Sequence, residues 1–437
     1  AASTLTFEGL WMMHDPLALH SLSAWGYSPT SGSLLYAGNY AVLYGGIGML
    51  LIGAGLHILP RLARTELASE KNAALVSFLW TISVLVLVIG AHDSEVLGIN
   101  IIFVGTVMHV VAFLAILTNQ LLTVSKRQGA LAIPGWLIIF GLLADPVATA
   151  AIFVSGSIET GVGQWLLGHM VGGTFFFASA AGIALYASSS STGNPLWSRS
   201  LAAAVLVGSI ATINPMGEVD GRMAADMLGL NFGELHVTSE DNLVAAFLMA
   251  LATIPIMALA ANVLITLRGG DAFVENADSA GTAELNLGAS MLLPLAIGSL
   301  FIQSDAFAAT PEFSGLAGTL MLMGIWLILV PFSLGAALHL FPTVTGRHLL
   351  SRNRARWAFW MMAGGAFLGL TVTMMADMID MALIEATVED PSSLSGDLRV
   401  VGAVLFYGTA VGAVMHSLNA VSGLFRGARV DSVRDTS

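Results

Sequence analysis

The sequence contains no cysteine, and few of its side chains carry a charge. Asp, Glu, Lys and Arg make up 10% of the 437 residues, whereas roughly a quarter of the residues in a soluble domain are charged. Without cysteine the chain has no disulfides, no thiolate metal sites and no iron–sulfur clusters held by cysteine. Any metal or haem would therefore bind His, Met or carboxylate side chains. The net charge of −12 argues against binding to nucleic acid, which attracts basic surfaces.

Apolar residues are abundant where charged residues are few. They make up 56% of the chain, and the mean hydropathy is +0.82. Because each transmembrane helix needs about 20 apolar residues, the sequence predicts an all-α, polytopic membrane helix bundle with about eleven transmembrane helices. The predicted spans are residues 34–59, 74–91, 98–123, 131–155, 163–187, 199–216, 242–267, 286–304, 315–341, 357–384 and 398–424.

The polar connections between these spans alternate in charge. Arg61, Arg64 and Lys71 follow the first span, and basic residues recur in "SKRQG" and "GRHLLSRNRARW", whereas "GAHDSEVLG" and "SGSIETG" carry acids. Lys and Arg near span ends stay on the cytoplasmic side. We therefore predict that the N-terminus lies outside and the C-terminus in the cytoplasm. The predicted domains are an extracytoplasmic N-terminal segment (1–33), a transmembrane helix bundle (34–425) and a cytoplasmic tail (426–437).

Several apolar segments resemble subunit I of the haem-copper oxidase superfamily. "LGAALHLFPTVTGRHLLSRNRARWAFWMMAGGAFLGLTVTMMADMID" is similar to its tenth and eleventh helices, and "GDLRVVGAVLFYGTAVGAVMHSLNAV" to the last helix of C-type terminal oxidases and nitric oxide reductases. "YAGNYAVLYGGIGMLLIGAGLHILPRL" resembles the second helix, and "QWLLGHMVGGTFFFASAAGIALY" resembles the sixth, where a Gly-His pair supplies a copper ligand. The resemblance implies that the eleven spans correspond to helices two to twelve, in a multi-pass protein of a prokaryotic plasma membrane.

Most of the ligands that this family uses are missing from the chain. Where the second helix of the family carries a haem-binding His, this sequence has Ala37, Gly38, Asn39 and Tyr40. The segments similar to the seventh and tenth helices, "LAAAVLVGSIATINPMGEV" and "AGTLMLMGIWLILVPFSLG", contain no His. Of the six imidazoles that the family implies, His169 alone has a counterpart. The resemblance therefore implies a diverged relative, and it does not support oxygen or nitric oxide reduction at a binuclear centre.

The imidazoles that remain leave two ways to hold a metal or a cofactor. His169 corresponds to a copper ligand of the family, and His92 and Asp93 lie at the same predicted outer depth. Together they predict a mixed nitrogen and oxygen site that suits zinc, manganese or copper(II); the alternative is a solvated rim. Haem could instead bind imidazoles on other helices, each of which could equally form a hydrogen bond between helices. These candidates are His109, His339 and His416.

Acidic side chains also occur inside the predicted spans, where a charge costs about 2.5 kcal/mol or more. Asp377 and Asp380 are three residues apart and share one helix face, and two neighbouring carboxylates repel when both are ionised. They therefore predict a proton or cation site. The alternative places Asp380 at the headgroups and pairs Asp377 with an Arg of a partner subunit. Asp145, beside Pro146, either caps a helix kink or begins a polar path with His109.

These observations favour an integral membrane subunit of a respiratory or other electron-transfer complex. Its partners would be the lipid bilayer and other membrane subunits, and its role would be assembly, quinone contact or proton movement. One alternative is a free-standing transporter or sensor that uses the intramembrane carboxylates. A further alternative is a haem-binding oxidoreductase whose His ligands have moved to other helices. These residues are compatible both with an oxidoreductase and with a subunit that has no enzyme activity.

Overall fold

The described part of the chain is helical. The computed structural model describes residues 37–38, 40–155, 169–211, 239–268, 280–302, 313–386 and 392–430. Within these ranges the chain forms eleven helices and one short hairpin, and the helices follow the predicted spans in number and order. The predicted all-α class is therefore confirmed. The predicted segment 1–33 and residues 431–437 of the predicted tail lie outside the described residues.

The helices are numbered in chain order. They are α1 (Tyr40–Ala63), α2 (Glu70–His92), α3 (Ile101–Ser125), α4 (Ile133–Ser155), α5 (169–192), α6 (Arg199–Ala211), α7 (Ser239–Thr266), α8 (Thr282–Ile302), α9 (313–345), α10 (Arg352–Glu385) and α11 (Ser392–Arg426). The hairpin joins α2 to α3 and consists of β1 (Glu95–Val96) and β2 (Ile99–Asn100), with Glu95 opposite Asn100.

Six of these helices are long and apolar enough to cross a membrane: α1, α2, α3, α9, α10 and α11. Shorter apolar segments lie in α4, α6 and α7, at Ile133–Ala144, Arg199–Ser209 and Thr253–Thr266. A helix rises 1.5 Å per residue, so the 23 residues of α2 suffice for a hydrocarbon core of about 30 Å. The chain is a multi-pass helical membrane protein.

Polar side chains at the ends of the helices determine where several of them begin. Ser69 accepts a hydrogen bond from the backbone N–H of Asn72 at the start of α2, and Ser351 does the same for Arg354 at the start of α10. These are ordinary N-caps, which satisfy backbone donors that the first turn leaves free. At the other end of α9, Gly346 takes a left-handed conformation with φ 67°, which a residue with a side chain adopts at a cost.

The helices form a centre and a periphery. Of the most apolar 18-residue stretch, 72% is buried in α1 and 78% in the α9 span, but only 33% in α2 and 22% in α10. Helix α1 packs against α2, α3, α5 and α9, whereas α2 with α3, and α10 with α11, pack chiefly as helical pairs. The outer faces of these pairs are apolar and exposed, as lipid contact requires. These exposed apolar faces are suited to contact with the lipid bilayer.

Glycine brings α10 and α11 close together. A Cβ atom at Gly369 would lie 2.7 Å from the backbone nitrogen of Phe406, and one at Gly412 would lie 2.5 Å from that of Met362. Both distances are shorter than real contacts allow, so the two backbones meet at these glycines. Small residues at helix contacts permit this approach in membranes. It fixes the register in which charged side chains of α10 face those of α11.

Three of the central helices contain π-helical stretches. These are Tyr40–Gly48 in α1, His169–Ala178 in α5 and Ile325–Leu329 in α9. Every residue of the first and third stretches is buried. The hydrogen bonds of a π-helix join residues five apart, which widens the helix and changes where its side chains point. Such stretches are rare in proteins, and those that occur are often found at functional sites.

Candidate functional site

The two predicted carboxylates of α10 share an arginine of α11. Arg399 Nη1 lies 2.8 Å from Asp377 Oδ1, and its Nη2 lies 2.5 Å from Asp380 Oδ2. Thr319 of α9 donates a hydrogen bond of 2.6 Å to Asp377 Oδ2. Three helices therefore meet at one group of side chains, which we call the Asp–Arg cluster: Asp377, Asp380, Arg399 and Thr319.

The members of the Asp–Arg cluster differ in exposure. The Asp377 side chain is 1% exposed, Asp380 is 21% exposed and Arg399 is 43% exposed. Asp377 is eight residues from Glu385, the end of α10, which corresponds to roughly 12 Å along the helix. Asp377 is thus the buried member, and Arg399 connects it to the surface. A charge buried in this way requires a partner, and Arg399 provides it.

The arginine that pairs with Asp377 belongs to this chain. One alternative in the sequence analysis pairs Asp377 with an Arg of a partner subunit, but the structure pairs it with Arg399 of the same chain. Arg399 lies near the start of the last predicted span, and its position in the sequence is typical of a residue at the membrane surface. The contact of Arg399 with the two Asp residues of "ADMID" can be predicted only if α10 and α11 are aligned as an antiparallel pair. That alignment is the signal that the sequence interpretation missed.

His109 of α3 lies in a cluster of aromatic rings. Its Nδ1 is 3.1 Å from the hydroxyl of Ser83. Its ring centroid is 4.5 Å from that of Tyr44, 4.3 Å from Trp80 and 5.0 Å from Phe113. The residue is 3% exposed, and within the described ranges Nε2 has no hydrogen-bond partner. Aromatic rings therefore surround the imidazole of His109 on three sides.

The other two imidazoles predicted to bind haem have different neighbours. His339 of α9 has its Nε2 2.7 Å from the Ser190 hydroxyl of α5. His416 of α11 has its Nε2 3.9 Å from Oε1 of Glu284 in α8, an acid that the sequence interpretation did not select. Each imidazole faces a different helix, so His109, His339 and His416 occupy three separate environments. Their proposed role in binding haem stays a prediction.

The predicted metal site is described only in part. His92 is the last residue of α2, and Asp93 follows it, exposed, accepting a hydrogen bond of 3.2 Å from the backbone N–H of Glu95. His169 begins α5 and Asp145 lies within α4, but the side chains of both lie outside the described residues. Among the side chains that are described, no group of three or more His, Asp or Glu could hold a metal. The site at His169, His92 and Asp93 stays a prediction.

Aromatic side chains connect the π-helical stretches of α1 and α5. The ring of Tyr44 stacks on that of Phe175 with centroids 6.4 Å apart, and lies 5.3 Å from that of Phe176. The indole N–H of Trp80 donates to the backbone carbonyl of Tyr44 at 2.8 Å. All four side chains are buried. The widened parts of α1 and α5 thus meet in a packed aromatic layer.

The fold and these side chains define a class: a multi-pass helical membrane protein with a charged cluster between three of its helices. No protein-family model matches the sequence, and no curated protein matches it either. The resemblance to haem-copper oxidase subunit I therefore rests on the segments quoted above, and what it implies for function is a proposal.

Proposed function

We propose that the chain is a membrane subunit of a respiratory or other electron-transfer complex, related to subunit I of the haem-copper oxidases, in which aromatic side chains have replaced the binuclear centre. One observation carries this proposal. The three π-helical stretches, Tyr40–Gly48, His169–Ala178 and Ile325–Leu329, fall in the three segments similar to the second, sixth and tenth helices. In the family, each of these helices bears haem or copper ligands.

The packing around the first two stretches supports the loss of the cofactors. Tyr44, Phe175 and Phe176 fill the contact between α1 and α5 and are buried. Each aromatic side chain buries roughly 150–250 Å² of surface, so the layer is stabilised by its own packing. In α9, the buried Trp326 meets Phe406 edge to face at 5.6 Å. A π-helical stretch changes where side chains point. In a protein with a cofactor it can direct ligands toward that cofactor, and after the cofactor is lost it can direct aromatic rings into the same space.

Proton movement is the role that the Asp–Arg cluster favours. Two carboxylates and one guanidinium leave one negative charge unbalanced if all three groups are ionised. Inside a membrane such a charge is costly, so one proton or one cation would complete the cluster. Asp380, partly exposed, gives that proton a way in, while Thr319 and Arg399 hold Asp377. In the predicted orientation, with the N-terminus outside, this cluster lies toward the outer surface.

A second function, a free-standing transporter or sensor, draws on the same cluster. Charged side chains shared by three helices near one end of the bundle are also what a proton- or cation-coupled carrier would use. The two proposals differ in partners. A subunit of a complex is extracted from the membrane together with other subunits, whereas a free-standing carrier is extracted alone.

Purification of the tagged chain from its native membrane in a mild detergent distinguishes these functions. We expect other membrane subunits that carry redox centres to co-purify in fixed proportion. Purified chain that is alone, and that moves protons or monovalent cations into sealed vesicles, would contradict the subunit role and support the carrier. The matched control for that flux is Arg399→Lys, which keeps the charge of the cluster.

A further inference from the structure

A buried acid and a buried imidazole face each other between α8 and α11. Glu284, in the first turn of α8, is 1% exposed, and His416 of α11 is 4% exposed. His416 Nε2 lies 3.9 Å from Glu284 Oε1. This separation is too long for a direct hydrogen bond, but a small rotation of either side chain closes it. We call these two residues the Glu–His pair.

Glu284 accepts a hydrogen bond from its own backbone N–H, but neither member of the Glu–His pair has a second charged partner among the described residues. Glu284 Oε2 and both ring nitrogens of His416 are buried without a hydrogen bond, and no other charged side chain there lies within 4.0 Å. The titratable groups of the neighbouring helices have partners of their own: Ser190 contacts His339 of α9, and Arg399 binds the carboxylates of α10. The pair is therefore electrically isolated.

The backbone around Glu284 is closely packed. A Cβ atom at Gly335 of α9 would lie 3.0 Å from the Cβ of Glu284, and one at Gly281 would overlap the carbonyl oxygen of Gly335. Gly281 has φ 92°, a conformation that glycine adopts without strain. The close approach of α8 to α9 fixes the backbone and Cβ of Glu284 beside His416, while the carboxyl beyond them can still rotate.

A small cavity adjoins the imidazole. It measures about 30 Å³ and is lined by His416, Ser333 and apolar side chains that include Ile47 and Met362. The Ser333 hydroxyl donates to backbone carbonyls of its own helix, which leaves its lone pairs able to accept. The cavity has room for one water molecule, and His416 and Ser333 are the polar side chains of its lining that would bind it.

Charge decides how many protons the pair carries. With no proton the pair has one negative charge, with two protons it has one positive charge, and with a single proton its net charge is zero. An unbalanced charge costs several kcal/mol in a buried site. We infer that Glu284 and His416 form a site that binds one proton and passes it between them.

The proton moves between two atoms without a change in net charge. When it is on Glu284, a neutral carboxylic acid faces a neutral imidazole. When it moves to His416 Nε2, a carboxylate faces an imidazolium. The imidazole, which lines the cavity, can then exchange a proton with water there. This site joins α8 to α11 and is separate from the Asp–Arg cluster, so it stands whether or not the proposed function is right.

Infrared spectroscopy of the full chain in detergent tests this inference. The protonated carboxyl of Glu284 is identified by comparison with Glu284→Gln, and the ring bands of His416, with isotope-labelled histidine, by comparison with His416→Gln. Across the neutral pH range, we expect the protonated fraction of Glu284 and the imidazolium fraction of His416 to sum to one. The matched control is Glu66→Gln, which makes the same change at an exposed position and leaves both signals unchanged.

Three results would overturn the inference. One is a sum of zero or two across that range. Another is that each group titrates independently, as an exposed side chain does. The third is iron bound in stoichiometric amount through His416, lost in His416→Gln. If Glu284→Gln folds poorly, His416→Gln decides alone, because the lone Glu284 must then appear as a neutral carboxylic acid.

Discussion

The Asp–Arg cluster and the Glu–His pair each contain a residue of α11, and they differ in how the charge of a buried carboxylate is balanced. Asp377 is bonded to Arg399 and Thr319, so its charge is balanced by a permanent cation. His416 is the one charged or titratable partner of Glu284 among the described residues, and three polar atoms of the pair have no hydrogen bond. The Asp–Arg cluster contains a fixed cation, and a proton there neutralises only its excess carboxylate. The Glu–His pair contains no fixed cation, so a single proton can be shared between its two groups. The comparison separates a carboxylate that is held by a fixed cation from a carboxylate whose charge depends on a shared proton.

The largest expected effect comes from removal of the cation of the Asp–Arg cluster. Arg399→Met leaves Asp377 buried without its partner, which we expect to lower the free energy of unfolding by about 3 kcal/mol. The partly exposed Arg399 keeps this below the value for a fully buried pair. Unfolding of the detergent-solubilised chain measures it, with Arg268→Met at an exposed position as the control. A loss no larger than that of the control would show that Arg399 does not anchor α10 to α11.

A smaller effect is expected from Thr319. Thr319→Val removes the hydroxyl that donates to Asp377 but keeps the shape of the side chain, so we expect a loss of about 2 kcal/mol. Thr319→Ser retains the donor and should lose less than half as much. Combined with Arg399→Met, the Thr319→Val change should be non-additive, because both groups hold the same carboxylate. Simple additivity in the double-mutant cycle would argue against a shared site.

The smallest effect is expected when the Glu–His pair is replaced as a whole. The double variant Glu284→Met, His416→Leu removes both polar groups and their unsatisfied atoms, and such replacements are often neutral or stabilising. We expect the free energy of unfolding to change by less than about 1 kcal/mol. A large loss in the double variant would mean that the pair anchors the helices, and the contrast with the Asp–Arg cluster would fail.

Much of the fold follows from hydropathy, and its errors have a physical cause. The predicted span 286–304 begins four residues after the observed start of α8 at Thr282, because Glu284 interrupts the apolar run. The predicted span therefore leaves Glu284 outside, and hydropathy gives no sign of its burial near His416. Likewise α10 begins at Arg352, after its N-cap Ser351, although the predicted span begins at 357. Hydropathy reports the apolar part of a helix, whereas capping reports where the helix starts.

The candidate site was only partly predictable. Asp377 and Asp380 share a helix face, which spacing along one helix reveals. Arg399 could not be assigned to them in the same way, because its position depends on how α10 and α11 align across their glycine contacts. The π-helical stretches have no sequence pattern of their own that marks them. They depend on packing between helices, and only the structure displays them.

The measurement that tests the central claim most directly is a reduced-minus-oxidised optical spectrum of the purified chain, with metal analysis of the same sample. If aromatic side chains have replaced the binuclear centre, the spectrum is flat and neither iron nor copper is present in stoichiometric amount. Sharp haem bands with one or more irons per chain would contradict this account, and they would make His109, His339 and His416 the residues to substitute first.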